Sequence, residues 1–419
     1  MAVSTSDLRE RVRRLPGMER LLPALAGLPA TYLVGGAVRD LLRGAEPLDL
    51  DLAVEGDARA AARALADRLG REVREYGRFG TAILPGEPDL NLATTRSETY
   101  ERPGALPVVE DAPLSDDLRR RDFTLNAMAI GLSGDRLGHL TDTHGGLDDL
   151  RAGLLRVLHD RSFLDDPTRL LRALRYQSRL GAEMDPDTER LALSAVEGGA
   201  LATVSTQRAG DALIALLGEP DVRRGAELMR AHSVDGALHA GLVADPELVA
   251  AAAQGAEAIA AGRVAPVGVR ALRARAALAA LCSSDPQELD LWLADLGLPA
   301  AQRDAVGRAA RVAPRLATEL RGREHTPSEL ASLLRSEPPE ALALAMALRA
   351  PSDDVLRWTG SLNEVVLEIG GDDLVAAGIE PGPAIGRALD ETLAHKLDGL
   401  VGGRDAELEL ALRLAREGA

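Results

Sequence analysis

Two aspartates separated by one leucine, Asp49 and Asp51 in the run Leu48-Asp49-Leu50-Asp51-Leu52, are the residues best suited to chemistry in this sequence. On a strand the side-chain period of two puts both carboxylates on one face, with Cα atoms about 6–7 Å apart. Carboxylates at that spacing can share a pair of Mg²⁺ ions about 3.5–4 Å apart, which activates an attacking hydroxyl and stabilises leaving oxygens. An edge strand with an acidic outer face would give the same pattern, so the surroundings must decide. Upstream, Gly35-Gly36 follows the apolar run Thr31–Val34 and opens a helix near Ala37 that carries Arg39 and Asp40. A strand, a bare glycine turn and a helix start bring backbone N–H groups to a phosphate at the positive helix end. Arg39 lies one turn in, within reach of the same anion.

Two further clusters stand out. Asp166 and Arg169 are three apart on a helix predicted to start at the Asp166-Pro167 step, so they share a face. One acceptor-only and one donor-only side chain can together pair with a base edge; the plainer alternative is a surface ion pair. Arg119-Arg120-Arg121-Asp122 abuts the apolar run Phe123–Ile130, which places charge against a core element where three arginines would otherwise simply be solvated.

These residues need elements to hold them. Residues 1 to about 140 mix strand runs (Thr31–Val34, Leu48–Val54, Thr81–Leu84) with helical ones such as Asp57–Leu69. From about 150 onward the strand signal gives way to Ala-Leu-Arg-rich amphipathic stretches broken by the turns GEPDV, RVAPV, LGLPAA, SEPPEA and IEPGPA. The expected class is an α+β head, a small mixed sheet with helices, followed by an all-α remainder.

Composition removes several alternatives. Cys282 is the lone cysteine, which excludes an internal disulfide and a Cys-based zinc site. Lys396 is the lone lysine and does not follow a Gly-x4-Gly, so a P-loop is excluded. No apolar run reaches the roughly 20 residues of a membrane span, and the charged N-terminus is unlike a signal peptide; a cytoplasmic location is expected. The formal net charge of −16 runs against a nucleic-acid partner. Its distribution does not: residues 151–181 hold seven arginines and three aspartates, a local +4 that can focus phosphate within an acidic whole.

In chain order, LVGGAVRDLLRG, LDLDLAVEG, RRRDFTLNAMAI, DTHGGLDDLRAGLLR and LDDPTRLLRALRYQSRLG resemble the motifs of the class II tRNA nucleotidyltransferase and bacterial poly(A) polymerase family, within the polymerase β-like nucleotidyltransferase superfamily. The match covers residues 31 to 181, and 374–416 is similar to the tails of longer bacterial members. The resemblance implies catalytic metal ligands at Asp49 and Asp51 and a triphosphate cradle at Gly35, Gly36 and Arg39. It implies nucleotide and ribose contacts from Arg121 and Asp122, base reading by Asp166 and Arg169, and phosphate support from Arg172 and Arg175. It implies a head over 1–145, a helical neck over 146–215, a body over 216–335 and a tRNA-binding tail over 336–419. The implied activity is Mg²⁺-dependent addition of C, C and A to the tRNA 3′ end from CTP and ATP, with no membrane or DNA partner. CC-only or A-only addition, poly(A) synthesis, or a non-catalytic RNA scaffold are the alternatives.

The sequence departs from the family pattern at three places. Asn91 stands where many relatives carry a carboxylate, so no third acidic ligand is assigned. Asp165 replaces a common Glu, and Ala212 replaces a Glu after Arg208. His159-Asp160 has no partners at metal-ligand spacing, so a phosphohydrolase centre is not expected. Tyr76–Ala82 (YGRFGTA) reads as the tRNA type rather than the poly(A) type, and Arg96–Leu118 is long enough for the loop that switches C to A addition.

Overall fold

The computed structural model describes residues 4–47, 49–76, 80–262 and 268–417. Leu48, Gly77-Arg78-Phe79 of the YGRFGTA run, and the RVAPV turn lie outside the described residues.

The sheet that carries the site is built around β1 (Thr31–Val34), whose four residues are buried on both faces. After it come α3 (Gly36–Leu42), β2 (Leu50–Val54) and α4 (Ala58–Leu69). The preceding helices are α1 (Thr5–Arg14) and α2 (Met18–Ala24). Helix α4 starts where Asp57 caps it, its carboxylate accepting from the Arg59 and Ala60 N–H groups. It buries Ala58, Ala61, Ala62, Leu65, Ala66 and Leu69, one stripe of a 3.6-residue period.

The chain returns through β3 (Arg74–Tyr76), β4 (Thr81–Leu84) and β5 (Leu90–Thr94). A separate hairpin, β6 (Arg96–Thr99) with β7 (Val108–Asp111), precedes α5 (Leu114–Arg119). Strands β8 (Met128–Gly131) and β9 (Leu140–Asp142) complete a seven-stranded sheet of order β3-β4-β5-β2-β1-β8-β9. The pair β2–β5 is parallel and the other pairs are antiparallel. The crossover through α4 and the β3–β4 hairpin supplies the long connection that a parallel pair requires.

One sheet face packs Leu33, Leu50, Leu52 and Val54 against α1, α2 and α4. On the other, Tyr32, Val34, Ala53 and Ala129 pack with Leu114 and Leu118 of α5. After β9 come α6 (Gly146–Ala152), β10 (Leu154–Leu155), α7 (Ser162–Asp165), α8 (Thr168–Leu180), β11 (Glu183–Met184) and α9 (Pro186–Glu197). The two-residue parallel pair β10–β11 departs from the expected all-helical remainder, and it ties the two ends of the α7–α8 segment together.

The chain divides into two compact units, 1–205 and 206–419. The first holds all the elements above. The second runs from α10 (Thr206–Leu217) to α22 (Arg404–Glu417), and its described residues form helices joined by turns, with no strand among them. Its interior is rich in alanine, and Arg275 Nε donates to Glu340 Oε1 at 2.6 Å within it. Among the described residues no helix is long and apolar enough to cross a membrane.

Candidate active site

Alternation along β2 sends Leu50, Leu52 and Val54 into the main core and leaves Asp51 and Ala53 on the opposite face. In the parallel register Asn91 of β5 stands directly across from Asp51, and its Nδ2 donates to Asp51 Oδ1 at 3.2 Å. Burial raises the Asp51 carboxyl above its ordinary value; the Asn91 hydrogen bond and the Arg121 charge pull it back, and Asp49 adds to the rise. Asp49 is not on the strand as expected from the two-residue period. Pairing with β5 begins at Leu50 opposite Leu90, so Asp49 is the exposed residue at the strand's entrance.

A cavity of about 420 Å³ opens on this face, with Asp51, Asn91, Asp117, Arg120 and Arg121 on its polar walls and Ala53, Ala82 and Ala93 among its apolar ones. The glycine turn reaches it through Arg121. Gly35 has φ 64° and ψ −131°, a left-handed conformation that favours glycine, and a Cβ there would lie 2.9 Å from Arg121 Nη1. The guanidinium therefore lies directly on the bare turn. Its Nη2 donates to Asp117 Oδ2 at 2.8 Å, while its buried Nε has no acceptor.

Arg39, Asp122 and Arg172 lie in a different arrangement from the one their phosphate and ribose roles imply. Arg39 is only 3% exposed. Its guanidinium bonds Asp40, donates through Nη1 to Asn126 Oδ1 at 2.8 Å, and lies 5.4 Å from the centre of the Tyr176 ring. Asn126 Nδ2 in turn donates to Asp122 Oδ1 at 3.0 Å, and Arg172 Nε donates to Asp122 Oδ2 at 2.9 Å. Burial pushes the Asp122 carboxyl up, but the Arg172 charge and the hydrogen bonds from Asn126 and Arg172 outweigh it and bring it down to about 2. The result is a satisfied polar strut from α3 through Asn126 and Asp122 to α8. Phe123 and Tyr176, edge to face at 5.7 Å, pack beside it.

Asp166 and Arg169 both lie near the α7–α8 junction, but Asp166 lies ahead of the helix rather than on it. Pro167 disfavours a helical conformation for the residue before it, and Asp166 takes φ −132° and ψ 92°. Its Oδ1 accepts from the Thr168 N–H at 3.1 Å and from Thr168 Oγ1 at 2.7 Å. Arg169 is buried, donating from Nη1 to Ser162 Oγ and from Nη2 to the Arg120 carbonyl, both at 2.7 Å. Arg175 is half-buried further along α8.

The basic segment is equally well matched: Arg151 pairs with Asp148, Arg156 with Asp149 and Asp185, Arg161 with Asp165, and Arg179 approaches Asp40. Sequence reasoning missed Asp117 and Asn126, although each stands at helical spacing from an arginine or aspartate of the RRRDF run.

Residues 31–156 match the Poly A polymerase head domain family. The chain is 36% identical over 378 residues to the CC-adding tRNA nucleotidyltransferase of Deinococcus radiodurans, covering 90% of this chain and 87% of that protein. It is 35% identical over 397 residues to the A-adding tRNA nucleotidyltransferase of Geobacter sulfurreducens, covering 92% of this chain but only 45% of that longer relative. The solved Thermotoga maritima CCA-adding enzyme, complexed with tRNA, superposes with a TM-score of 0.74 at 29% identity, covering 98% of each chain. A strand–glycine turn–helix beside an aspartate-bearing strand and a paired-arginine wall is thus found in a chain that belongs to the tRNA nucleotidyltransferase family.

Proposed function

We propose that this chain extends the 3′ end of tRNA without a nucleic-acid template, adding C, C and A from CTP and ATP and releasing pyrophosphate, in the cytoplasm. The observation that carries the reading is the placing of Asp51 on one cavity wall with Arg121, and its orphan Nε, between it and the Gly35 turn. A carboxylate for a cation and a guanidinium for phosphate oxygens, side by side, suit nucleotidyl transfer.

Mg²⁺ fits the donor set. Asp49 is exposed, and Asp51 offers Oδ2, which accepts no hydrogen bond among the described residues. No group of three or more His, Cys, Asp or Glu side chains with metal-binding geometry occurs among them. Mg²⁺ is commonly held by one or two carboxylates, with substrate phosphates and water completing its shell. Bound there, it would lower the pKa of the attacking 3′-hydroxyl and neutralise charge at the α-phosphate.

The protein's own groups then divide the work. Asn91 holds Asp51 in place, Arg121 meets the triphosphate beside Gly35 and Gly36, and Asp166 with Arg169 reads the base edge. Arg39, Asp122 and Arg172 brace the wall behind these groups, and Arg175 supports the phosphates. The helical body and the tail over 336–419 hold the tRNA through shape and backbone contacts across its acceptor arm.

The names of the two relatives favour a second reading, addition of C alone or of A alone. A tRNA transcript lacking CCA, incubated with CTP, ATP or both, separates the readings by product length. Three added nucleotides are expected with both substrates; two with CTP and no further growth with ATP, growth by A only on a CC-ending transcript, or a long A tail each replace this reading.

A further inference from the structure

Behind the cavity's two arginines lies a carboxylate that no substrate-contact reading uses. Asp117, on the inner side of α5, is 1% exposed. Its Oδ1 accepts from Arg120 Nε at 3.0 Å, from Arg120 Nη2 at 2.6 Å and from the Arg96 N–H at 3.4 Å. Its Oδ2 accepts from Arg121 Nη2 at 2.8 Å. Two neighbouring guanidinium groups are thus fastened to one buried carboxylate, at helical spacings of three and four residues.

Each arginine then faces a different part of the site. Arg121 turns Nη1 onto Gly35 and leaves its Nε without an acceptor. Arg120 joins the β6 side through Nη1 to Glu98 Oε1 at 2.7 Å, and its carbonyl receives Arg169 Nη2 at 2.7 Å. Arg96 also pairs with Glu98, and the Tyr100 hydroxyl donates to Glu98 Oε2 at 3.0 Å. One short segment therefore sets the position of both the guanidinium at the glycine turn and the guanidinium assigned to base reading.

We propose that Asp117 is a positioning residue for the incoming nucleotide, fixing Arg121 against the Gly35 turn for the triphosphate and Arg120 beneath Arg169 for the base. The proposal rests on the nucleotide-binding reading of this cavity. Removing the negative charge leaves two adjacent guanidinium groups with no anion between them, so Arg121 leaves the turn and Arg120 keeps only Glu98 to hold it. Triphosphate affinity and base discrimination should fall together, whereas tRNA affinity should not.

The test compares Asp117→Asn and Asp117→Glu with Arg121→Ala, each checked for folding by thermal denaturation. Binding of CTP and ATP is measured calorimetrically with Ca²⁺ present, and kcat and KM are measured for CTP, UTP, ATP and tRNA. Asp117→Asn is expected to weaken CTP and ATP binding by about ten- to a hundredfold, the usual effect of removing a group that orients a ligating side chain. It should also narrow the CTP-over-UTP ratio of kcat/KM, with the KM for tRNA unchanged. Asp117→Glu keeps the charge but displaces it by a methylene, and should move both quantities the same way by less. If Asp117→Asn does not fold, Asp117→Glu decides. Nucleotide affinity and discrimination within twofold of wild type in the folded variants overturn the proposal. Should Arg121→Ala also leave nucleotide affinity unchanged, the nucleotide-binding reading fails; should it weaken binding while the Asp117 variants do not, only the positioning role fails.

Discussion

Asn91 sits directly opposite Asp51 in the parallel pairing of β2 and β5, with its carboxamide donating to the aspartate at 3.2 Å. An amide there neutralises part of the cost of burying Asp51, where a carboxylate would add to it. Asn91→Asp should therefore lower metal-free stability by about 1 kcal/mol, the scale of like charges placed across a strand pair. Mn²⁺ should then raise the melting temperature of the variant by more than that of the wild type. Equal Mn²⁺-induced shifts would show that position 91 does not face the cation.

Asp122 supplies a pH-dependent share of stability. Its carboxyl is lowered from 3.8 to about 2 in the fold, so its contribution is present above the unfolded value and is lost as pH falls toward 2. Asp122→Asn should cost about 2 kcal/mol at pH 7, from a depression of roughly two units. The gap between variant and wild type in urea unfolding should narrow between about pH 4 and pH 2. A gap independent of pH would place the stabilisation elsewhere.

Asn126 joins Arg39 to Asp122, and both are buried. Truncating it leaves a buried guanidinium and a buried carboxylate each short of a partner, so Asn126→Ala should destabilise by about 2–3 kcal/mol. Glu10→Ala, which breaks an exposed helical pair with Arg14, should change stability by less than about 0.5 kcal/mol. Comparable losses in the two variants would mean that the strut contributes no more than a surface pair.

The tip of the β6–β7 hairpin is held at Gly104, whose N–H donates to the Leu164 carbonyl at 3.1 Å. Gly104 has φ +68°, and a Cβ there would overlap the Thr203 carbonyl. Gly104→Ala should free the tip locally, giving faster cleavage by a glutamate-specific endoprotease after the exposed Glu101 while the rest of the unit stays folded. Unchanged cleavage would mean the tip is held by other contacts.

The strands and helices nearest the site were largely legible. Thr31–Val34 and Thr81–Leu84 form strands over the residues their apolar runs indicate, and Asp57–Leu69 gives a capped helix, because each signal is local. Asp51 reached its expected face by the same alternation. Asp49 did not join the strand, since its start is set by pairing with β5, forty residues away in sequence. Nor could Arg39 be read as buried: the group that accepts its hydrogen bond, Asn126, is 87 residues downstream. Asp117 was within reach of sequence reasoning, because an acid three and four residues before two arginines is a local pattern. What spacing could not show was that all three are turned inward.

The segment from Arg151 to Arg179 read as a concentration of positive charge, yet its arginines are met by Asp148, Asp149, Asp185, Asp122 and Asp40 from outside it. Before any substrate arrives, these carboxylates occupy the place that mobile anions would otherwise take. Engaging phosphate here is therefore an exchange of partners: each carboxylate given up can take on a cation shed by the nucleic acid, so the net release of small ions is reduced. Affinity should then fall with added salt less steeply than the number of arginines suggests, and an acidic protein can hold an anionic substrate across a wide range of ionic strength.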